Sequence, residues 1–145
     1  MKVLDRGRVN IAATCVGVAE RLLEESLAYA LDRQQFGKPI AEHQLVQAML
    51  AESQAELLAA RALVLEAAQH YDEHGRPDSL LVSSAKLIAS EMVGRVADRA
   101  VQIHGGAGYI SEYAVERLYR DVRLFRLYEG TSEIQKLVIA RKLFA

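Results

Sequence analysis

The chain has 145 residues, of which 51% are hydrophobic, so it is long and apolar enough to fold as one domain around a buried core. Its formal net charge of −1 gives no electrostatic basis for binding nucleic acid or an anionic membrane surface. A single cysteine, Cys15, excludes an internal disulfide; it lies in an apolar helical pattern, as expected of a small buried residue in a reducing compartment.

Apolar residues recur at helical spacing along most of the chain, and no apolar run is long enough to cross a bilayer. We predict no strand and five helices, at 4–32, 41–71, 79–103, 112–119 and 132–144. Turns that contain glycine and proline separate the first three helices, and three glycines follow the third. Long helices joined by short turns predict an all-α fold, an antiparallel up-down bundle of four to five helices, in one domain that spans 1–145.

Just before the last predicted helix, the carboxylate of Glu129 lies between an aromatic residue and a glycine. Ser132 and Gln135 fit a capping box, in which a hydroxyl and an amide satisfy the free N–H groups at a helix start. Glu129 is therefore expected in a tight non-helical turn, a suitable place for a fixed general base beside a helix end that can meet a polar or anionic ligand. The alternative is a capped loop in which Glu129 faces water.

The glycine-rich segment 102–109 follows a helix rather than a strand, and its glycine spacing is not that of a dinucleotide fingerprint. It is either a glycine C-cap with a tight turn or a place where the backbone approaches a ligand closely. Arg33 stands near the end of the first helix, where it either meets free carbonyl groups or presents a guanidinium fork to phosphate.

Two further patterns are typical of ordinary helix surfaces. Four arginines recur every third residue beside acidic residues, as on a solvated face with local ion pairs; they are Arg117, Arg120, Arg123 and Arg126. His70 and His74 are spaced to share a metal, but an exposed helix end is the better interpretation. No histidine follows a glutamate by three residues, as in di-iron bundles, so we predict no metal site.

Three motifs occur in a fixed order along the chain. The first is Arg-x-x-Phe-Gly at Arg33, Phe36 and Gly37, followed by Gln44. The second is Gln-x-x-Gly-Gly-x-Gly, followed by an aromatic residue, an acid, a base and a second acid: Gln102, Gly105, Gly106, Gly108, Tyr109, Glu112, Arg117 and Asp121. The third is Tyr-Glu-Gly-Thr at 128–131. With these motifs, the chain resembles the C-terminal domain of the acyl-CoA dehydrogenase family from its first helix to its end.

This resemblance implies an FAD-dependent acyl-CoA dehydrogenase, in which Glu129 is the catalytic base that removes the α-proton of an acyl-CoA thioester. The β-hydrogen leaves as hydride to the flavin and gives a trans-2-enoyl-CoA, as in fatty acid β-oxidation. The residues implied to contact the substrate are Asp5, Arg6, Gly7, Arg8 and Gly130. Some family members carry the base at the position of Gly7; because glycine cannot serve, Glu129 is the expected base.

The resemblance also implies contacts to FAD and to partners. Thr131, Ser132 and Glu133 are implied to contact the adenylate end of FAD. The residues implied to reach the FAD of a neighbouring subunit are Arg33, Phe36, Gln44, Gln102, Ile103, His104, Gly105 and Gly106. The implied partners are the acyl-CoA, further copies of the chain in a tetramer built as a dimer of dimers, and an electron-transfer flavoprotein. The implied location is the bacterial cytoplasm, or the mitochondrial matrix in a eukaryote.

The family subunit has an N-terminal helical domain and a middle β-domain before this bundle, and neither is in this sequence. We therefore expect a fragment, or one subunit of a split enzyme, that is inactive alone. Two other functions stay open: a non-catalytic helical oligomerisation module, and a related flavin-dependent acyl-CoA oxidase or monooxygenase. The Tyr-Glu-Gly-Thr element favours the dehydrogenase.

Overall fold

A computed structural model describes residues 2–144, and side chains from residue 4 onward. The described chain is almost entirely helical, which confirms the predicted all-α class. Its five α-helices are α1 (Lys2–Asp32), α2 (Gln44–His74), α3 (Ser79–His104), α4 (Ala114–Val122) and α5 (Ser132–Leu143). Three short 3₁₀ helices lie between them, at Ile40–Glu42, Gly105–Tyr109 and Arg123–Arg126. The predicted helix ends agree with these bounds to within about three residues, the usual uncertainty of a helix end.

The prediction that the chain has no strand is wrong at one place. Two short strands, β1 (Gln34–Gln35) and β2 (Lys38–Pro39), pair antiparallel between α1 and α2. Their two-residue turn has positive φ at both positions, 54° at Phe36 and 80° at Gly37, as a tight hairpin turn requires. Phenylalanine rarely takes this conformation, so the sequence gives no sign of the hairpin.

The first three helices alternate in direction, as the up-down prediction requires. Arg6, in the first turns of α1, donates a hydrogen bond to the Tyr71 hydroxyl near the end of α2 at 2.8 Å. Tyr29, near the end of α1, stacks on His104 at the end of α3 with ring centroids 4.2 Å apart. Therefore α1 and α3 run in the same direction and α2 runs opposite to both. Helix α4 then packs against α3 and α1.

The core is built mainly from small and β-branched side chains of α1 and α3, with α2, α4 and α5 packed around α3. Small residues let helix axes approach closely. Cys15 belongs to this core, and burial raises the pKa of its thiol to about 12, so the expectation of a buried cysteine is confirmed. No helix within residues 2–144 combines the length and apolar character needed to span a bilayer.

Candidate functional site

Glu129 lies in a left-handed turn between the last 3₁₀ helix and α5; we refer to residues 127–131 as the Glu129 turn. Glu129 has φ 58° and Gly130 has φ 92°. A left-handed conformation costs a residue with a side chain about 1–2 kcal/mol, so the surrounding contacts must hold Glu129 in place. The expected tight, non-helical turn is confirmed.

Hydrogen bonds to the backbone carbonyl groups of Glu129 and Gly130 hold the turn in place. The Gln135 amide donates to the carbonyl oxygen of Glu129 at 3.1 Å and to that of Gly130 at 2.9 Å. The Arg8 guanidinium also donates to the Glu129 carbonyl, at 3.2 Å. Arg8 is itself fixed by Asp5 at 2.9 Å, and both side chains of this ion pair are buried. The turn is thus tied to α1 and to α5.

One carboxylate on α3, that of Glu91, fastens both flanks of the turn. The Ser132 hydroxyl donates to one of its oxygens at 2.6 Å, and Arg126 forms an ion pair with the other at 3.1 Å. Arg126 fits because residue 94 is glycine: a Cβ there would overlap the guanidinium. The arginine pattern placed Arg126 on a solvated face, but it is half-buried. Arg120, by contrast, pairs with Glu116 on the surface as expected.

The predicted capping box between Ser132 and Gln135 does not form. Thr131, not Ser132, is the N-cap of α5, and its hydroxyl accepts a hydrogen bond from the backbone N–H of Ile134 at 3.4 Å. The Ser132 hydroxyl instead finds a charged acceptor on α3, and Gln135 turns its amide toward the preceding turn. A tertiary contact therefore overrides a local capping pattern.

The carboxylate of Glu129 rests against Gly7 of α1, where any Cβ would overlap it. Both residues line an open cleft of about 600 Å³ between the start of α1 and the end of α2. Its lining residues are Arg6, Gly7, Asn10, Tyr71, Gly75, Arg76, Pro77 and Glu129. A carboxylate that lines a cleft together with two guanidinium groups, those of Arg6 and Arg76, can accept a proton from a ligand that carries negative charge elsewhere.

All five residues predicted to contact substrate lie close to Glu129 or to the turn that carries it. Arg6 and Gly7 line the cleft, whereas Asp5 and Arg8 are buried behind it and support the turn. Gly130 borders the Gln135 amide, and a Cβ on it would lie 2.8 Å from the amide nitrogen. Thr131, Ser132 and Glu133 follow directly in the first turn of α5, where Glu133 is exposed and the Ser132 hydroxyl is engaged by α3.

The residues predicted to reach a neighbouring subunit's FAD lie at the opposite end of the bundle. Arg33, Phe36 and Gln44 are exposed around the hairpin, with 92% of Phe36 accessible. We refer to residues 102–106, at the end of α3 and the start of the following 3₁₀ helix, as the glycine loop. Its residues Gln102, Gly105 and Gly106 are also exposed.

Two members of the glycine loop point inward. Ile103 and His104 are buried, and the His104 ring donates from Nδ1 to the Ala100 carbonyl at 2.8 Å while stacking on Tyr29. Burial lowers the pKa of His104. The side chains of these two residues therefore belong to the interior of the bundle, whereas the prediction grouped them with the exposed members of the loop.

The length of α1 separates the two sets of residues. Gly7 lies beside Glu129, and Tyr29 lies beside the glycine loop, 22 positions further along a continuous helix. At 1.5 Å per residue, these positions are about 33 Å apart. One chain therefore does not place both sets around the same part of a ligand.

Sequence reasoning missed two residues that hold the Glu129 turn. Glu91 carries no signal, because an acidic residue in the middle of a helix is ordinary. Gln135 was noticed only as a helix cap. Within the described part of the chain, no group of three or more histidine, cysteine, aspartate or glutamate side chains could hold a metal ion.

Residues 1–144 match the family model described as acyl-CoA dehydrogenase, C-terminal domain. The chain is 53% identical over 140 residues to the probable acyl-CoA dehydrogenase YngJ of Bacillus subtilis, and the aligned region covers 97% of this chain and 37% of that protein. It is 47% identical over 143 residues to CarC, a subunit of the caffeyl-CoA reductase–Etf complex of Acetobacterium woodii, with 99% and 38% covered.

The solved structure of butyryl-CoA dehydrogenase from Megasphaera elsdenii has the same fold. It superposes with a TM-score of 0.94 and 40% sequence identity, over 98% of this chain and 37% of that chain. The present chain therefore spans well under half the length of the relatives it matches.

Proposed function

The chain belongs to the acyl-CoA dehydrogenase family of flavoprotein oxidoreductases, and from this premise we propose that Glu129 removes the α-proton of an acyl-CoA thioester. The product is a trans-2-enoyl-CoA. The observation that carries the proposal is the placement of the Glu129 carboxylate: it lies in an open cleft, on a backbone turn held from three helices. A base fixed in this way is ready to meet a C–H bond without reorganising.

The other cleft residues have distinct tasks in this proposal. Gly7 leaves room for the carboxylate and for the acyl chain beside it. Arg6 and Arg76 supply positive charge for the anionic phosphate groups of the acyl-CoA. Asp5 and Arg8 act from behind the cleft, because their side chains are buried and their contacts run to each other and to the turn.

FAD is the proposed cofactor; when bound, it accepts the β-hydrogen of the substrate as hydride. The first turn of α5, with Thr131, Ser132 and Glu133, follows directly after the base and would meet its adenylate end through backbone N–H groups. The glycine loop fits a flavin nucleotide as well, since a Cβ on Gly105 or Gly106 would meet nothing within 4 Å. Its backbone is thus open to close approach.

The 33 Å separation supports a second FAD for the other set of residues. We propose that Arg33, Phe36, Gln44 and the glycine loop serve the FAD of a neighbouring copy, in a tetramer built as a dimer of dimers. Large apolar side chains at that end are exposed, among them Phe36, Leu45 and Tyr109 at 92%, 81% and 83%. Surfaces of this kind are typical of interfaces.

Electron-transfer flavoprotein is the proposed electron acceptor. The relative CarC is named as a subunit of an Etf complex, which supports this partner. The named relatives come from bacteria, and we place the reaction in the bacterial cytoplasm. The chain alone holds the base and only part of the flavin contacts, so we propose that activity requires the domains that complete the subunit in its longer relatives.

The test is Glu129→Gln in the flavin-loaded holoenzyme that contains this chain. Glutamine keeps the shape of the side chain but cannot accept the proton, so FAD should stay bound while its anaerobic reduction by acyl-CoA falls by at least about 10³-fold. Glu66→Gln, an exposed site on α2, is the matched control and should reduce at the wild-type rate. Fast reduction in the Glu129 variant would place the base elsewhere. Oxygen consumption by the wild type would favour an oxidase instead.

A further inference from the structure

Gln135 is fully buried in the first turns of α5, and its amide points back to the Glu129 turn. The amide nitrogen carries two hydrogens and donates one to each of two carbonyl oxygens, those of Glu129 and Gly130. Because carbonyl oxygens only accept hydrogen bonds, the nitrogen must be the atom that faces them. The orientation of this amide is therefore fixed by chemistry.

The surroundings are shaped to admit this amide. A Cβ on residue 130 would lie 2.8 Å from the amide nitrogen, so glycine is needed for the close approach as well as for the backbone angle. The Glu129 carbonyl receives a second donor, Arg8, from α1. Two donors from different helices thus converge on one carbonyl oxygen.

Anchored carbonyl groups restrict how the backbone can rotate. The oxygens of Glu129 and Gly130 define the two peptide planes that follow the Glu129 Cα, and both planes are held by Gln135. The residues before Glu129 are held as well, since the N–H groups of Leu127 and Tyr128 both donate to the Leu124 carbonyl. The backbone is thus restrained on both sides of Glu129, whose side chain projects from it against Gly7. A left-handed residue held in this way does not relax to an ordinary turn.

We propose that Gln135 is a positioning residue for the base: it touches neither the carboxylate nor the cleft, and it sets the direction in which Glu129 projects. This inference rests on the proposed role of Glu129. A merely structural Gln135 would stabilise the start of α5 and would affect folding and flavin content. A positioning Gln135 affects the rate of α-proton removal after the substrate has bound.

The two roles are separated by Gln135→Met in the flavin-loaded holoenzyme. Methionine keeps the volume and removes both donors. Gln69→Met, the same substitution at an exposed position of α2, is the matched control. The probe is whichever straight-chain C4 to C16 acyl-CoA reduces the wild-type flavin fastest. Anaerobic rapid mixing then gives the limiting reduction rate and the half-saturating concentration, with α-deuterated and undeuterated substrate.

In the Gln135 variant, we expect the limiting rate to fall on the order of 10- to 100-fold, with a half-saturating concentration and flavin content close to wild type. The α-deuterium isotope effect should rise, because proton removal then limits the reaction more fully. The Gln69 variant should match the wild type. Gln135→Asn, which keeps the donors but is one methylene shorter, should show the same pattern and replaces the methionine variant if that protein does not fold.

A wild-type limiting rate and isotope effect in both Gln135 variants would overturn this inference, as would a loss seen only in flavin content or substrate affinity. The Glu129→Gln variant, measured in parallel, separates the positioning role of Gln135 from the proposed role of Glu129 as the base. If it loses reduction while the Gln135 variants do not, only the positioning role is overturned. If it retains reduction, the proposed function is overturned and this inference with it.

Discussion

The residues proposed to be functional at the two ends of the bundle differ in character. At the end that holds Glu129, side chains are tied to their own chain: Gln135 and Arg8 bind the turn, and Glu91 fastens both of its flanks. At the other end, the residues around the hairpin and the glycine loop are exposed, and Phe36 stands almost free of its own chain.

This difference separates two physical tasks. A group that must meet one C–H bond needs its position fixed, and hydrogen bonds within one folded chain can fix it before the ligand arrives. A surface that binds a large cofactor shared with another copy must stay open until that copy docks. The chain therefore completes its chemical group by folding, whereas the surface at the other end is proposed to be completed by assembly.

Among the proposed substitutions that leave Glu129 in place, one at its contact with Gly7 is expected to have the largest effect. In Gly7→Ala, the new Cβ would overlap the Glu129 carboxylate and displace it. We expect the limiting rate of flavin reduction in the holoenzyme to fall by about 100-fold, as for a catalytic group that is misplaced by about 1 Å. The measurement is anaerobic rapid mixing with acyl-CoA.

Gly17→Ala is the control for this prediction, because it changes the same helix where a Cβ would meet nothing within 4 Å. It should keep the wild-type rate and stabilise the chain by about 0.5–1 kcal/mol, since alanine is the better helix former. If both variants reduce at the wild-type rate, the carboxylate is not fixed and the contrast between the two ends breaks down.

The helices could be predicted from the sequence because their signal is local: apolar spacing, glycine and proline. The hairpin could not, since it depends on a phenylalanine held at positive φ. The turn at Glu129 was expected from the sequence, and its proposed role as base follows from the resemblance. The supports of the turn were not, because Glu91 and Ser132 meet only through the packing of α3 against α5, and this tertiary contact moves the helix cap to Thr131.

A smaller effect is expected from pH at the glycine-loop end. Burial lowers the pKa of His104 in the folded chain, so the unfolded chain binds more protons between that value and about 6.5. The stability from this group is complete above about pH 6.5 and is lost as the pH falls toward the folded-state pKa. Urea unfolding between pH 5 and 7 should show this slope, and His104→Phe should flatten it. An equal slope in both chains would mean that His104 is not held neutral by the fold.

The smallest expected effect on the chain is that of Phe36→Ala. Because 92% of Phe36 is exposed, its removal should change the unfolding free energy of the chain by no more than about 0.5 kcal/mol. Phe125→Ala makes the same change at a residue only 8% exposed and should cost about 3–5 kcal/mol. In the holoenzyme the order of the two variants should reverse. Among variants that fold, Phe36→Ala should weaken FAD retention and subunit association more than Phe125→Ala, as followed by flavin fluorescence and sedimentation. A Phe36 variant as unstable as the Phe125 variant, or one with unchanged FAD retention, would mean that Phe36 does not contact a neighbouring copy or its FAD.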